Sequence, residues 1–353
     1  MAAEDRWLVY GATGYTGELI AREAVRKGLR PVLGGRGRER IEAMARALGT
    51  ESCVFSLDDP AATRAALRGT RVVLNCAGPF SATAAPMMAA CLDERVHYLD
   101  ITGEVDVFEY GQGRHDDAQR AGVLLCPGVG FDVVPTDCVA ATLARAMPDA
   151  SHLALGFDSK SRLSRGTSKT MIEGLAHGSR VRTEGQLRNE PMGARVRDID
   201  FGAGARKAIA IAWGDVSTAW WTTRIPNVEV YIPASPRAIK SMQRMHRWRW
   251  LLGLAPVQSW MKKRVDKAPA GPDTAERERS PVMVWGEVRN ARGEQRIARL
   301  QTANGYSVTV DAALGILRDV LRNPGRGGYF TPSQLVGADF VTKLPGSTAI
   351  RVS

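Results

Sequence analysis

The sequence predicts an α/β protein: a Rossmann doubly wound parallel sheet with a second, inserted α+β domain. Three observations lead there. Short β-rich runs alternate with helical patterns through about the first 130 residues. The runs are almost continuously apolar, as in Val72-Val73-Leu74 and Val123-Leu124-Leu125. The first of them ends in a glycine-rich turn, Gly11-Ala12-Thr13-Gly14-Tyr15-Thr16-Gly17. Alternating strands and helices argue for βαβ units, and uninterrupted apolar strands are expected where helices cover both faces of a sheet.

Strands are expected at 7–10, 30–34, 52–55, 71–76, 96–101 and 122–126, with helices at 16–27, 38–48, 60–67, 82–92 and 105–121. The pattern changes at Pro127-Gly128-Val129-Gly130-Phe131, a turn-rich loop, after which Pro135 suits the first turn of a helix running to about Met147. Residues 150–235 are Gly-rich, with strand-like pieces at 152–157 and 228–232. The stretch 265–281 reads as a surface loop. Strands at 282–289 and 295–302 follow, then a helix over about 309–322, broken by the glycines of 325–328. The expected division is a cofactor-binding domain at 1–132, a substrate-binding α+β domain at 133–328, and a C-terminal segment at 329–353 returning to the first domain.

A length of 353 residues suits about two domains. With 44% hydrophobic and 24% charged residues the composition is that of a folded protein. Lys and Arg number 48 against 37 acids, a formal charge of +11 that suits a nucleic acid, an anionic membrane or an anionic cofactor. The five cysteines form no CxxC pair and read as buried, reduced thiols, which fits a reducing cytoplasm. The first strand begins too early to leave room for a signal peptide, and no apolar run approaches the roughly 18 residues of a membrane span. The expected location is the cytoplasm, or the inner face of the membrane.

The turn after the first strand carries the chemistry. Gly11, Gly14 and Gly17 stand between a strand and a helix, the context required of a dinucleotide fingerprint. Glycines let the backbone turn tightly and approach a pyrophosphate. The helix N-terminus then presents N–H groups and partial positive charge to that anion. Thr13, Tyr15 and Thr16 belong to the same cradle. After the second strand an NAD site usually carries an acid for the ribose 2′-OH; here the chain reads Gly34-Gly35-Arg36-Gly37-Arg38. A guanidinium fork grips phosphate, so Arg36 predicts a 2′-phosphate and the cofactor NADP(H). Asp58, after strand 3, is placed to accept from the adenine amino group. Asn75, Ala77 and Gly78, after strand 4, allow close approach to the ribose and nicotinamide.

Four segments in order, residues 11–17, Asn75-Cys76-Ala77-Gly78-Pro79-Phe80, His97-Tyr98-Leu99-Asp100-Ile101-Thr102-Gly103-Glu104 and Gly128-Val129-Gly130-Phe131-Asp132-Val133-Val134-Pro135-Thr136-Asp137, resemble the saccharopine dehydrogenase-like oxidoreductases. Ser164-Arg165-Gly166-Thr167, Trp213-Gly214-Asp215-Val216, Ile225-Pro226-Asn227-Val228, Gly305-Tyr306 with Thr309, and Thr331-Pro332 with Gly337 extend the resemblance over nearly the whole chain. The resemblance implies a Rossmann domain, a second α/β domain inserted after the sixth strand, and cofactor contacts at the matching glycines, Arg36, Asp58, Asn75, Ala77 and Gly78. That family includes lipid-associated members and trans-acting enoyl reductases, and this chain resembles that branch more than the lysine-pathway enzymes. The resemblance supplies no securely matched catalytic acid.

Residues 237–264 carry eight Lys or Arg, no acid, and Trp248, Trp250 and Trp260. Ile239, Met242, Met245, Trp248 and Leu252 recur at helical spacing, with Lys240, Arg244 and Arg247 on another side. Such a cationic, Trp-bearing amphipathic helix has the signature of an interfacial helix. Three readings stay open: an ordinary core-packed helix, peripheral membrane contact, and a homodimer contact. No nucleic-acid-binding module accompanies the charge.

No HExxH, CxxC, Walker A or GxSxG pattern is present, so metal chemistry, P-loop chemistry and a hydrolase elbow have no support. The five histidines, His97, His115, His152, His177 and His246, are scattered and read as structural. Tyr98, Asp132 and Lys169 are the candidate proton donors near the nicotinamide. The leading expectation is an enzyme in which NADPH gives hydride to a C=C or C=N bond of a small hydrophobic, acyl-type substrate. The alternatives are a saccharopine-type imine dehydrogenase, with Arg162 and Arg165 holding substrate carboxylates, and a non-catalytic NADP-binding scaffold at a membrane.

Overall fold

The computed structural model describes residues 6–174, 178–246, 249–252, 254–323 and 325–353. It divides into two units, Met1–Asp132 with Thr309–Val336, and Val133–Val308 with Gly337–Ser353. These limits differ from the expected ones: the chain returns to the first unit at Thr309, not at 329, and its last residues belong to the second unit. The reason is local bonding. Thr309 Oγ1 accepts from the Phe131 amide at 3.0 Å and Asp311 pairs with Lys27 at 2.6 Å, whereas the terminal strand pairs within the second sheet.

In chain order the elements are β1 (Trp7–Tyr10), α1 (Tyr15–Arg26), β2 (Val32–Gly35), α2 (Arg38–Leu48), β3 (Ser52–Val54), α3 (Pro60–Leu67), β4 (Val72–Asn75), α4 (Phe80–Glu94), β5 (His97–Asp100), α5 (Val105–Gly113), α6 (His115–Ala121) and β6 (Leu124–Cys126). There follow α7 (Val134–Ala146), β7 (Ala150–Asp158), α8 (Arg165–Gly174), β8 (Ser179–Thr183), β9 (Gln186–Glu190), β10 (Val196–Asp200), β11 (Ala205–Ala210), α9 (Asp215–Thr223) and β12 (Asn227–Pro233). The chain continues through α10 (Pro236–Met245), α11 (Arg249–Leu252), α12 (Ala255–Val265), α13 (Thr274–Glu278), β13 (Val282–Asn290), β14 (Gln295–Thr302), α14 (Gly305–Arg322), β15 (Gly328–Tyr329), α15 (Pro332–Val336) and β16 (Arg351–Val352).

The first unit holds a seven-stranded sheet in the order β3-β2-β1-β4-β5-β6-β15, parallel throughout. Every residue of β1, β2, β4, β5 and β6 is buried, which is why these strands read as apolar runs without alternation. The strand order reverses beside β1, which lies between β2 and β4; ligands of open α/β sheets bind outside the carboxyl ends of the strands at such a point. The single helix expected over 105–121 is two helices parted at Arg114. Gly111 lies against the Tyr329 ring, where a Cβ would come within 3.0 Å, and glycine at 111 and 113 weakens the helix there. The helix expected from 309 starts earlier, at Gly305, because Asn304 Oδ1 accepts the Tyr306 amide at 3.0 Å.

The second unit holds a nine-stranded mixed sheet, with β10-β11-β12-β7-β13-β14-β16 in line and β8 and β9 branching from β12. β7 and β12 are parallel and the other pairs antiparallel. Gly286 faces α7, where a Cβ would lie 2.5 Å from Val139 Cγ1. Alternation along the strand then turns Trp285 to the opposite face, into a cluster with Phe201, Ile199 and Tyr231. Arg197 stands over the Tyr231 and Trp285 rings at 5.7 and 5.2 Å and bonds Glu287.

Two glycines of the first loop have different reasons to be glycine. A Cβ on Gly17 would lie 2.3 Å from the Gly11 carbonyl oxygen, whereas one on Gly14 meets only that same oxygen at 3.3 Å. Gly17→Ala should therefore lower stability in urea by about 1–3 kcal/mol, the range for forced overpacking. Gly14→Ala should unfold at nearly the wild-type concentration; equal losses would contradict this packing.

Candidate functional site

Because the first sheet is parallel throughout, every strand delivers its following loop to one edge. Gly11, Arg36, Asp58, Asn75–Gly78, Gly103-Glu104 and Pro127–Asp132 all leave carboxyl ends of strands in this way. The loop after β1 is clamped. Gly11 and Ala12 donate to the Gly34 carbonyl at 2.9 and 3.2 Å, and Gly11, at φ +80°, packs so closely on Ala77 that a Cβ would lie 2.7 Å from its nitrogen. Gly14 is the exposed N-cap of α1 and has no side chain of its own with which to cap that N-terminus. The first-turn N–H groups of a helix have no intrahelical partner. A helix start whose N-cap glycine offers no cap of its own therefore fits a pyrophosphate. Thr13, Tyr15 and Thr16 are partly exposed around it.

The neighbouring helix repeats the device. α2 begins at the glycine N-cap Gly37 with no side-chain cap, and Arg36 beside it is exposed and makes no ion pair among the described residues. Burial raises the Tyr10 phenol above its ordinary pKa of 10.0, and the Arg36 guanidinium partly offsets this, which places Arg36 near the carboxyl end of β1. Arg38, the other arginine of the motif, is paired with Glu42 at 2.9 Å. By contrast α3 is capped by Asp59, which accepts from the Ala62 amide at 3.0 Å. α4 is capped by Glu104, which accepts from the Phe80 and Ser81 amides at 2.9 and 2.6 Å. Of the four helices that follow β1 to β4, two thus begin at a glycine N-cap and two are already occupied by carboxylates. That division fits a dinucleotide with a pyrophosphate at α1 and a 2′-phosphate at α2. Asp58 is exposed after β3, accepting from Ser56 Oγ at 2.9 Å.

Beyond β4 the edge is an internal network. Asn75 is fully buried: its Oδ1 accepts the Ala77 amide at 3.0 Å and its Nδ2 donates to Thr83 Oγ1 at 3.2 Å and Tyr98 Oη at 3.4 Å. Its side chain therefore shapes the Ala77–Gly78 loop, the loop expected beside the ribose and nicotinamide. Tyr98 is likewise corrected as a proton donor. It is 0% exposed, its hydroxyl donates to Asp100 Oδ2 at 2.7 Å, and burial holds its phenol well above the ordinary range. Asp100 also accepts from the Thr102 and Gly128 amides at 3.0 and 2.8 Å, so one buried carboxylate ties β5 to the loop after β6. Burial pushes its pKa up to about 7 despite those hydrogen bonds.

Asp132 ends that loop. A Cβ on Gly103 would lie 2.8 Å from its Oδ2, and burial, with the neighbouring charge of Glu104, pushes its pKa up from 3.8 to about 7. It is partly exposed, so of the three candidate donors it combines a proton near neutral pH with access. Lys169 lies in the second unit, its ammonium held by Asp266 at 2.6 Å; it ties α8 to the end of α12 and is corrected to a structural tether. Arg162 grips Glu276 through two nitrogens at 2.9 and 2.7 Å, and Arg165 Nε donates to the Ala268 carbonyl at 2.6 Å, so both serve their own chain. His97 and His115 accept the Leu124 and Tyr329 amides at 3.0 and 3.1 Å and hold strands. His177, Arg247 and Trp248 lie outside the described residues. Burial raises the thiol pKa of Cys76, Cys91 and Cys138, which keeps them unreactive.

Glu104 has a role that its sequence context does not announce. Its partners at the start of α4 are 23 and 24 positions away, and no local pattern marks a carboxylate that caps a helix so distant in the chain.

Two outcomes test the site. A charge-assisted hydrogen bond contributes roughly 1.5–3 kcal/mol, so Arg36→Ala should weaken NADPH about ten- to hundredfold in a fluorescence titration and leave NADH nearly unchanged. Asp132 has a folded pKa above its unfolded one, so the native state holds the proton more tightly. Its contribution is complete below about 3.8 and lost as the pH rises through about 7. A tenfold difference in proton affinity between the two states is worth about 1.4 kcal/mol. Asp132→Asn should therefore raise stability at pH 8 by about 1 kcal/mol or more and leave it unchanged near pH 4, measured by urea unfolding at each pH.

Residues 7–126 match the family model of the saccharopine dehydrogenase NADP binding domain. The chain is similar to a saccharopine dehydrogenase-like oxidoreductase of Arabidopsis thaliana, 30% identical over 199 residues, 50% of this chain and 44% of that protein. A human protein of the same description is 30% identical over 160 residues, 39% of this chain and 37% of the other. The chain thus spans less than half of either relative's length. A Mycobacterium tuberculosis protein with the provisional name of trans-acting enoyl reductase is 24% identical over 418 aligned positions, 96% of this chain and 95% of that one. In structure, apo saccharopine dehydrogenase (L-Glu forming) from Saccharomyces cerevisiae superposes with a TM-score of 0.61 over 99% of this chain and 100% of that one; at 9% identity this likeness shows the fold alone. Residues 7–126, which hold the glycine cradle and the glycine starts of α1 and α2, are thus similar to the NADP binding domain of saccharopine dehydrogenase, and the cofactor that this similarity supports is NADP.

Proposed function

We propose that this chain is an NADP-linked oxidoreductase that reduces a C=C or C=N bond in a hydrophobic, acyl-type substrate. The observation that carries this reading is the concentration of carboxylates at the sheet edge. The carboxyl ends of β5 and β6 hold Asp100, Glu104 and Asp132, and burial together with the Glu104 charge raises the pKa of both aspartates to about 7. Such an edge suits an uncharged reacting group better than an amino acid with carboxylates of its own, which it would repel. Arg162 and Arg165, the residues that a saccharopine-type substrate would use, are engaged with Glu276 and the Ala268 carbonyl. The nearly full-length similarity to a protein named for enoyl reduction supports the same reading.

Bound NADPH supplies the hydride. The chain's own residues do the rest: the α1 amides and Arg36 bind and orient, the Asn75-shaped loop sets the approach to the ribose, and Asp132 holds a proton that neutralises the product anion. Such proton transfer contributes typically 10²–10⁴-fold. Stopped-flow oxidation of NADPH with 2-enoyl thioesters should show turnover that falls as the pH rises through about 7 in the wild type. Asp132→Asn should slow it roughly 10²-fold without weakening NADPH. Turnover with imines of amino acids in preference to enoyl substrates would favour the saccharopine-type alternative, and turnover with neither would favour the scaffold.

A further inference from the structure

The segment expected as one amphipathic helix is three short ones, and its apolar residues part company. On α10 the side of Ile239 is packed, with Ile239 buried and Met242 and Met245 partly so. α12, by contrast, is an eleven-residue helix with no buried residue. Trp250 is 62% exposed, Trp260 58% and Leu254 44%; Leu163 and Met171, at and near α8, are 49% and 47%. Five of the eight exposed large hydrophobic residues among the described ones therefore lie on α8, α11, α12 and their approaches, and α12 packs on both α8 and α11. Exposed apolar residues gathered on elements that pack together in this way mark an interaction surface.

The charges around the patch identify the partner. Residues 237–264 contain no acid. On α12 Lys263 is exposed and makes no ion pair among the described residues, and Arg264 stacks on the Trp260 ring at 4.9 Å; Arg237, Lys240 and Arg244 of α10, earlier in the same acid-free segment, are likewise exposed and make no ion pair among the described residues. The acids nearest in sequence and contact are already engaged, Asp266 by Lys169 and Glu276 by Arg162. These two pairs, with the Arg165 bonds to Ala268 and Ala270 at 2.6 and 3.1 Å, hold α12 and the loop after it against α8. The result is a fixed ridge with exposed indoles and unneutralised cations. Tryptophan favours the boundary between headgroups and acyl chains, and an amphipathic surface of low net hydrophobicity with Lys and Arg partitions to anionic lipid. No described helix is long and apolar enough to cross a membrane, so the contact is one of lying on the surface. We propose that α11 and α12, with the exposed side of α8, form a docking surface for an anionic lipid bilayer, Trp250, Leu254 and Trp260 entering the headgroup region and the surrounding cations pairing with lipid phosphates.

The test needs no catalysis and is independent of the redox reading. The intact protein is floated with vesicles of phosphatidylcholine alone or mixed with phosphatidylglycerol, at low and high salt. Expected are flotation with the anionic vesicles only, loss at high salt, and a blue shift of tryptophan emission on binding. Trp250→Ala with Trp260→Ala should reduce partitioning more than about tenfold, and each of Lys240→Gln and Lys263→Gln by on the order of fivefold, with NADPH affinity unchanged as the control for folding. Absence of flotation overturns the proposal, as does binding that both sets of substitutions leave intact. A concentration-dependent dimer that the tryptophan substitutions convert to monomer, without vesicle binding, would assign the ridge to a subunit contact and also overturn it.

Discussion

The first unit depends on one close approach, the Gly17 Cα set against the Gly11 carbonyl, with the Gly11 backbone in turn set against Ala77. Any side chain at Gly11 or Gly17 would push the start of α1 away from β1 and β4. With those contacts made, the α1 amides stand at the reversal point of the strand order. The anion site is therefore a consequence of backbone packing, and only Gly14 is left as glycine chiefly for the ligand's sake.

A second constraint is the sharing of negative charge among helix N-termini on one edge. A helix terminus attracts an anion wherever it comes from. Glu104 and Asp59 satisfy α4 and α3 from within the chain, while α1 and α2 begin with glycines that offer nothing. Among the helices that follow β1 to β4, a phosphate-bearing ligand is thereby favoured at α1 and α2 over α3 and α4. One of the same carboxylates has an electrostatic consequence: burial brings the pKa of Asp100 and Asp132 to about 7, and the Glu104 charge adds to the rise. Capping one helix and tuning a proton donor are two effects of a single side chain.

The second unit handles its charge differently. Its arginines are largely committed to structure: Arg182 to the Val216 and Gly185 carbonyls at 2.8 and 2.7 Å and the Trp220 face at 4.5 Å, Arg197 to Glu287 and two rings, Arg162 and Arg165 to the segment that follows α12. The high positive charge of the chain is thus not one uniform field. Much of it is neutralised in place, while Arg36, Arg237, Lys240, Arg244 and Lys263 are exposed and make no ion pair among the described residues.

The parallel sheet, the position of the glycine loop and the choice of arginine over acid after β2 are all legible in the amino-acid order. Each of these rests on neighbours in the chain: apolar runs, a turn between strand and helix, a side chain one position before an N-cap. What depends on residues far apart emerges only on folding. Asn75 and Tyr98 are bonded inward through Asp100, Glu104 caps α4, Thr309 rather than 329 begins the return to the first unit, and Lys169 is bound to Asp266. Folding also leaves Trp250 and Trp260 exposed while Ile239 of α10 is buried. A residue type states what a side chain offers, but which partner accepts the offer is set by the folding of distant strands to a common edge, and that information is not local.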